Sequence, residues 1–218
     1  MAQPNVCINK DTSAASTDGG GAVPKIHQDN TAEAPTKSQD PTEKTWYILW
    51  VRSKAEKAVR KSLIRDGIEA FVATVHETHV WRRGQRRRIE KVLIPSVVFV
   101  RMTKAERQYV ERRPGVVSLM YDPARKKDGK SGWDTLARVC DEDMQLFRQM
   151  LMQEDLDVSF TSADFTIGEH VRIKDFDQAY STAQIVRIFG DTRTYIGLRV
   201  SFLGCAYMQL PLDRITKL

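Results

Sequence analysis

Features that would mark an enzyme, a secreted protein or a membrane protein are missing from this 218-residue sequence. Its three cysteines, Cys7, Cys140 and Cys205, are far apart and form no CxxC or Cys/His spacing. The sequence therefore predicts neither a disulfide framework nor a zinc site, which suits a reducing cytoplasm. No apolar run reaches the roughly 18 residues of a membrane span. No basic segment followed by an apolar one marks a secretory signal, so we expect a cytoplasmic protein with no membrane partner.

Catalytic signatures are also lacking. The chain contains no GxSxG, P-loop, HExxH or paired-carboxylate motif. His76 and His79 have no third ligand in view and are interpreted as loop residues. Cys140 beside Asp141 has no histidine near it in the sequence, so it does not indicate a nucleophile. We expect a protein that is not an enzyme and that holds no metal and no cofactor.

Aromatic residues are absent from residues 1–44, where Ser, Thr, Asp, Gly, Pro and Ala dominate. Such a segment cannot bury enough apolar surface to offset the entropy lost on ordering. The sequence therefore predicts a disordered tail over 1–44.

Positive charge is concentrated in one segment, although the whole chain carries only +6. Between Trp81 and Lys91, six basic residues face Glu90 alone, for a local charge of +5. A field of this kind attracts phosphate, so the segment indicates a nucleic acid or another polyanion as partner. The alternative is a solvated hairpin tip. The basic residues are Arg82, Arg83, Arg86, Arg87, Arg88 and Lys91.

The densest apolar run, from Val97 to Val100, predicts a strand buried on both faces, with Pro95 at its entrance. Around it, the pattern predicts five further segments in a β-α-β-β-α-β order, with a basic hairpin arm over 76–91. This order is typical of a ferredoxin-like α+β domain, which we place at 45–152, with a last helix starting at Asp141. The segments are a strand at 46–51, a helix opened by a Ser53–Glu56 capping box, a strand at 68–75, a helix from Thr103 to Arg113 and a strand at 116–121.

The composition and the pattern of predicted elements change after residue 152. Residues 153–164 are acidic and without a clear period, and are interpreted as a linker. Residues 165–218 contain five short strand patterns separated by turns. So small a sheet would expose its edges if it stayed open, and the pattern therefore favours a small closed β-barrel.

Four motifs occur in the order found in a known family: Trp46-Tyr47 opening a strand, GQRR at 84–87, LIPSVVFV at 93–100, and Pro114-Gly115-Val116. They resemble the N-terminal domain of the NusG family of transcription elongation factors. Residues 165–218, with Gly168, Val171 and the closing DRITKL, resemble the SH3-like KOW barrel of that family.

The sequence departs from the family pattern in ways that are similar to specialised paralogs of the RfaH type. Ser96 and Val97 stand where the family has Gly and Tyr after the proline. The barrel loop normally carries Gly-Pro-Phe and here reads Asp-Phe-Asp-Gln at 175–178. The segments YDPARKKDGK and CDEDMQLF further resemble the UpxY antiterminators, which are encoded with capsular polysaccharide operons.

The resemblance implies a monomer that binds the clamp helices of RNA polymerase, lies over non-template or upstream DNA, and suppresses pausing or termination. The barrel would recruit a small-subunit ribosomal protein or a termination factor. Two alternatives stay open: a housekeeping factor that acts on all operons, and a ribosome-associated or general RNA-binding KOW protein.

The resemblance also implies roles for particular residues. Trp46, Ile94, Val97 and Phe99 match positions in or beside the polymerase-binding pocket, with Trp50 nearby. Arg52, Arg112 and Arg113 match positions that face non-template DNA. Phe176, Phe202 and Leu203 correspond to the apolar partner patch of the barrel. Since neighbours on a strand point to opposite faces, at least one of Phe202 and Leu203 should be exposed.

Overall fold

The computed structural model describes residues 43–81, 84–124, 132–153, 156–162, 165–177, 181–188, 193 and 195–217. Nearly all of the predicted tail and part of the basic arm, Arg82 and Arg83, lie outside these residues.

The N-terminal part, up to residue 152, alternates strands and helices. An α+β domain followed by a β-rich domain confirms the predicted fold class. The elements of the first domain are β1 (Thr45–Val51), α1 (Glu56–Arg65), β2 (Glu69–Phe71), β3 (Thr74–Val80), β4 (Arg86–Val92), β5 (Val97–Met102), α2 (Arg107–Glu111), β6 (Val116–Leu119), β7 (Arg138–Val139) and α3 (Asp141–Met152).

The central sheet has the strand order β2-β5-β1-β6, with β7 also paired to β1. All of these pairings are antiparallel. β1 and β5 lie in the middle because each has an apolar side chain at nearly every position, which only a strand covered on both faces can bury. Strands β3 and β4 form a separate two-stranded sheet, so the predicted arm is a true hairpin.

Helices cover both faces of this sheet, and the β-rich domain packs on the far side of α3. Alternate side chains of β1 and β5 face α1 and α2, where Leu49, Val98 and Leu63 belong to one core. The other set, including Ile48 and Phe99, packs against α3 in a second core. α3 is covered on two sides because Met144, Leu146, Phe147 and Met150 are all buried. A helix that is apolar around most of its circumference must lie between two layers, and here the second layer is the β-rich domain.

The described part of the β-rich domain has six strands: β8 (Ser159–Thr161), β9 (Phe165–Ile173), β10 (Thr182–Ile188), β11 (Tyr195–Val200), β12 (Gly204–Met208) and β13 (Ile215–Lys217). They form one antiparallel sheet in the order β13-β9-β10-β11-β12-β8. β8 falls inside the segment predicted as a linker and pairs with β12, so the predicted linker over 153–164 is too long.

Three local signals in the sequence concern helix ends: one glycine after a helix and two capping-box spacings. Two of them have the expected geometry and one does not. Gly67 has φ +80° just after α1, as expected for the residue that ends a helix. Thr103 and Glu106 also have the spacing of a capping box, and there the Thr103 N–H does donate to the Glu106 carboxylate, at 2.8 Å. The Ser53–Glu56 box is wrong: α1 begins at Glu56 without a side-chain cap, and that carboxylate binds a different part of the chain.

Candidate functional site

The face of the central sheet that packs on α3 is covered at one end and open at the other. Side chains of Trp46, Ile48 and Trp50 point to this face because they alternate along β1. Trp46 and Ile48 are fully buried, and the Arg148 guanidinium of α3 lies 4.8 Å from the Trp46 ring centroid. Trp50 is 50% exposed. The covering layer therefore ends before Trp50, which presents a large aromatic side chain to solvent.

Two buried apolar residues, Ile94 and Val97, lie on either side of Ser96 in the turn that leads into β5, and we call them the floor of this open end. Val97 of β5 lies directly opposite Trp50 in the register, and Ser118 of β6 lies opposite it on the other side. Val97 and Ile94 are each 5% exposed. An aromatic ring on a rigid apolar floor can bury much further surface against a partner with little loss of conformational entropy. We call the surface formed by Trp50, Ile94 and Val97 the Trp50 surface.

Two of the predicted pocket residues are core residues. Trp46 is 1% exposed and Phe99 is 0% exposed. The Phe99 ring forms a cluster with the rings of Phe71 and Phe147, whose centroids lie 6.3 Å and 6.0 Å from its own. The prediction that both contact a partner directly is corrected by the α3 layer, which covers them. Ile94 and Val97 are also almost completely buried. An aspartate at position 94 would therefore place a charge in the core and destabilise the fold, so it could not report on partner binding alone.

The turn between β4 and β5 is held in place by a residue that the sequence did not single out for this role. The Glu56 side chain is only 4% exposed, and its Oε1 accepts the Ser96 N–H at 2.7 Å. The Ser96 carbonyl accepts the Val51 N–H at 2.9 Å. No sequence signal pairs Glu56 with a residue 40 positions away, since the capping-box spacing offered a nearer partner.

The arginines of the basic arm divide between two faces. In the register, Val80 pairs with Arg86 and Glu77 pairs with Ile89. Because successive side chains alternate, Arg86 and Arg88 share one face of the hairpin while Arg87 lies on the other with Ile89. Residues 86–89 are all exposed. Among the described residues of the arm, one face therefore presents Arg86 and Arg88 together, and the other presents Arg87.

An ion pair joins the arm to α1. The Lys57 ammonium donates to the Glu90 carboxylate at 2.7 Å and to the Glu90 carbonyl at 3.2 Å. The bond from Lys57, followed by one from Thr74, holds the pKa of Glu90 below its usual value. The side chains of Lys57 and Glu90 are 47% and 40% exposed, so the pair contributes at most about 1 kcal/mol. The pair joins β4 of the arm to α1.

The three arginines predicted to face DNA have different surroundings. Arg52 and Arg112 are exposed. Arg113 forms an ion pair with Asp66 and lies 4.1 Å from the Tyr109 ring centroid. Its hydrogen bond to Asp66 is the main reason why the pKa of that carboxyl is below its usual value. Arg113 thus ties the end of α1 to the segment after α2, and of the three arginines Arg52 and Arg112 are the exposed ones.

The three barrel residues are also divided. Phe176 is 6% exposed and belongs to the core that the β-rich domain shares with α3. Nearby, the Asp177 N–H donates to the Gln149 side chain of α3 at 2.9 Å. Leu203 packs against the same core, whereas Phe202 is 40% exposed. Phe202 and Leu203 lie in the turn between β11 and β12, so the prediction that placed them in a strand is wrong.

The described part of the chain holds no group of three or more His, Cys, Asp or Glu side chains placed to bind a metal ion. None of its helices is long and apolar enough to cross a membrane. Burial raises the pKa of the Cys205 thiol to about 12, so this cysteine stays protonated at neutral pH.

Comparison with known proteins supports the reading of the first domain. Residues 44–148 match the family model described as "Transcription termination factor nusG". The chain is 26% identical over 93 residues to the transcription termination/antitermination protein NusG of Rickettsia felis, a match that spans 38% of this chain and 48% of that protein. It is 23% identical over 175 residues to the NusG of Rickettsia prowazekii, spanning 75% of this chain and 84% of that protein.

Among solved structures, the chain aligns with one described as "Domain interaction in Thermotoga maritima NusG". The alignment has a TM-score of 0.41 and 18% identity, and covers 81% of this chain and 98% of that one.

Proposed function

We propose that this protein, whose residues 44–148 match the NusG family model, is a transcription termination/antitermination factor that binds RNA polymerase through the Trp50 surface. The observation that carries the proposal is the half-exposed Trp50 on a floor of buried apolar residues. Tryptophan is enriched among the residues that dominate the free energy of protein–protein association. We infer that the tips of two helices, the clamp helices of the polymerase, dock at this open end of the sheet.

The mechanism that follows is a shift between two polymerase states. A factor that binds the closed clamp more tightly than the open, paused clamp raises the population of the closed state. The basic arm and the exposed Arg52 and Arg112 supply a sequence-independent attraction to upstream or non-template DNA beside the clamp. No step of this mechanism needs catalysis, a metal or a cofactor.

We further propose that the factor is a specialised antiterminator rather than a housekeeping member. Ser96 and Val97 replace the glycine and tyrosine of the family pattern at the Trp50 surface. Phe176 of the altered barrel loop is packed against α3, which leaves Phe202 as the exposed residue for a ribosomal protein. Because the loop phenylalanine is buried, it cannot bind the termination factor, and capture of that factor becomes less favourable. An antiterminator benefits from this loss.

A single-round transcription assay tests this proposal. Added to a paused elongation complex, the protein should shorten the pause and raise read-through of a downstream terminator, on templates that carry its recruitment sequence. The Trp50→Ala variant should do neither. Stimulation of RNA release together with the termination factor would instead support the housekeeping function. RNA binding without any effect on the polymerase would support the ribosome-associated alternative.

The division of arginines across the hairpin predicts unequal effects on nucleic-acid binding. Replacing Arg86 and Arg88 together by Ala should lower the slope of log affinity against log salt by about two units, since each lost phosphate contact removes about 0.9. Arg87→Ala, on the opposite face, is the matched control and should change the slope by less than half a unit. Titration of the elongation complex from low to high salt measures these slopes. An unchanged slope in the double variant would show that Arg86 and Arg88 of the arm do not contact DNA.

A further inference from the structure

The turn that precedes β5 adopts a conformation that its own sequence does not favour. Ser96 has φ +61°, in the left-handed region where a Cβ is disfavoured. Glycine adopts this conformation without the same penalty. Ser96 therefore needs support from outside the turn, and two hydrogen bonds supply it.

Both bonds come from neighbouring elements of the first domain. The Glu56 carboxylate accepts the Ser96 N–H at 2.7 Å, and the Ser96 carbonyl accepts the Val51 N–H at 2.9 Å. A hydrogen bond to an ionised acceptor is about twice as strong as one between neutral groups. The Glu56 side chain is 4% exposed, so water does not compete freely for it. The bond from Glu56 is thus the stronger of the two restraints on the turn.

The residues on either side of this turn belong to the Trp50 surface. Ile94 comes two positions before Ser96, and Val97 follows it directly and lies opposite Trp50 in the register. A change in the Ser96 backbone would therefore move both floor residues relative to the Trp50 ring. A displacement of this kind leaves the core buried but changes the shape that a partner meets.

We propose that Glu56 is a positioning residue for polymerase binding: its carboxylate holds Ser96 in the left-handed conformation and so fixes the floor of the Trp50 surface. This inference rests on the proposed function of that surface. The buried carboxylate acts at a distance, through the backbone of a turn 40 residues away, and does not itself contact the partner.

The test compares the polymerase affinities of five variants by titration at 10 °C, with folding checked by circular dichroism. Glu56→Ala removes the acceptor and should weaken binding about 10-fold. Glu56→Gln keeps an acceptor oxygen and should stay within about 3-fold of the parent protein. Ser96→Gly removes the conformational penalty, so the Glu56→Ala/Ser96→Gly double variant should regain at least about 3-fold over Glu56→Ala alone. The fourth variant, Leu63→Ala, is a control for stability.

Leu63 is fully buried in the core on the α1 side of the sheet, away from the turn. Leu63→Ala should destabilise the domain and leave the affinity of the folded protein unchanged. The proposal is overturned if folded Glu56→Ala binds like the parent protein, or if Ser96→Gly gives no rescue and Leu63→Ala is weakened equally. Trp50→Ala distinguishes failure of the proposed binding surface from failure of the proposed role of Glu56. Wild-type affinity in that variant refutes the surface itself, whereas weak binding there with normal binding of Glu56→Ala refutes only the positioning role.

Discussion

Trp50→Ala should weaken binding to RNA polymerase by about 30-fold or more. Truncating a tryptophan at the centre of an interface typically costs about 2 kcal/mol or more, and 1.4 kcal/mol corresponds to a tenfold change in affinity. Trp50 is half exposed in the free protein, so its removal leaves no large cavity in the core. We therefore expect the loss in affinity to come without a matching loss in stability. Titration of core polymerase with labelled protein measures it.

Ile64→Ala is the matched control. Ile64 is 49% exposed and lies on α1, on the opposite side of the central sheet from the Trp50 surface. Its truncation removes a similarly exposed apolar side chain and should leave polymerase affinity unchanged. Wild-type affinity in Trp50→Ala, or equal losses in both variants, would contradict the proposed surface.

Phe99→Ala should lower the free energy of unfolding by about 3–5 kcal/mol, the cost of truncating a large buried aromatic residue. The side chain is 0% exposed and packs edge-to-face on Phe147 of α3 at 6.0 Å, so its loss opens a cavity between two layers. Urea denaturation followed by circular dichroism measures the change. Phe99→Leu fills most of the space and should be affected much less. If Phe99→Ala lost polymerase binding but kept its stability, Phe99 would be a binding residue and not a core residue.

The sequence predicted the central sheet well because the signals there are local. The run from Val97 to Val100 is apolar on both faces, and such a run belongs in the middle of a sheet. The hairpin arm, the α+β class and the β-rich second domain follow in the same way from alternation and turn residues. Each of these features depends on residues that are close together in the chain.

Errors arose where distant segments meet. Trp46 and Phe99 looked available to a partner because nothing in their own strands reveals that α3 covers that face. Glu56 had the spacing of a capping box, and its true partner Ser96 lies on another element. Phe176 was assigned to a partner patch, although the β-rich domain buries it against α3. In each case a tertiary contact overrode a local pattern.

The most direct measurement is photo-crosslinking from position 50. A photoreactive phenylalanine analogue in place of Trp50 should attach to the clamp helices of RNA polymerase in an elongation complex, because the ring at this position lies at the open end of the sheet. The same group at position 64 should give no such product. Attachment from position 50 to the clamp helices is the predicted result. Attachment only to RNA or to ribosomal protein, with none to the polymerase, would contradict the account.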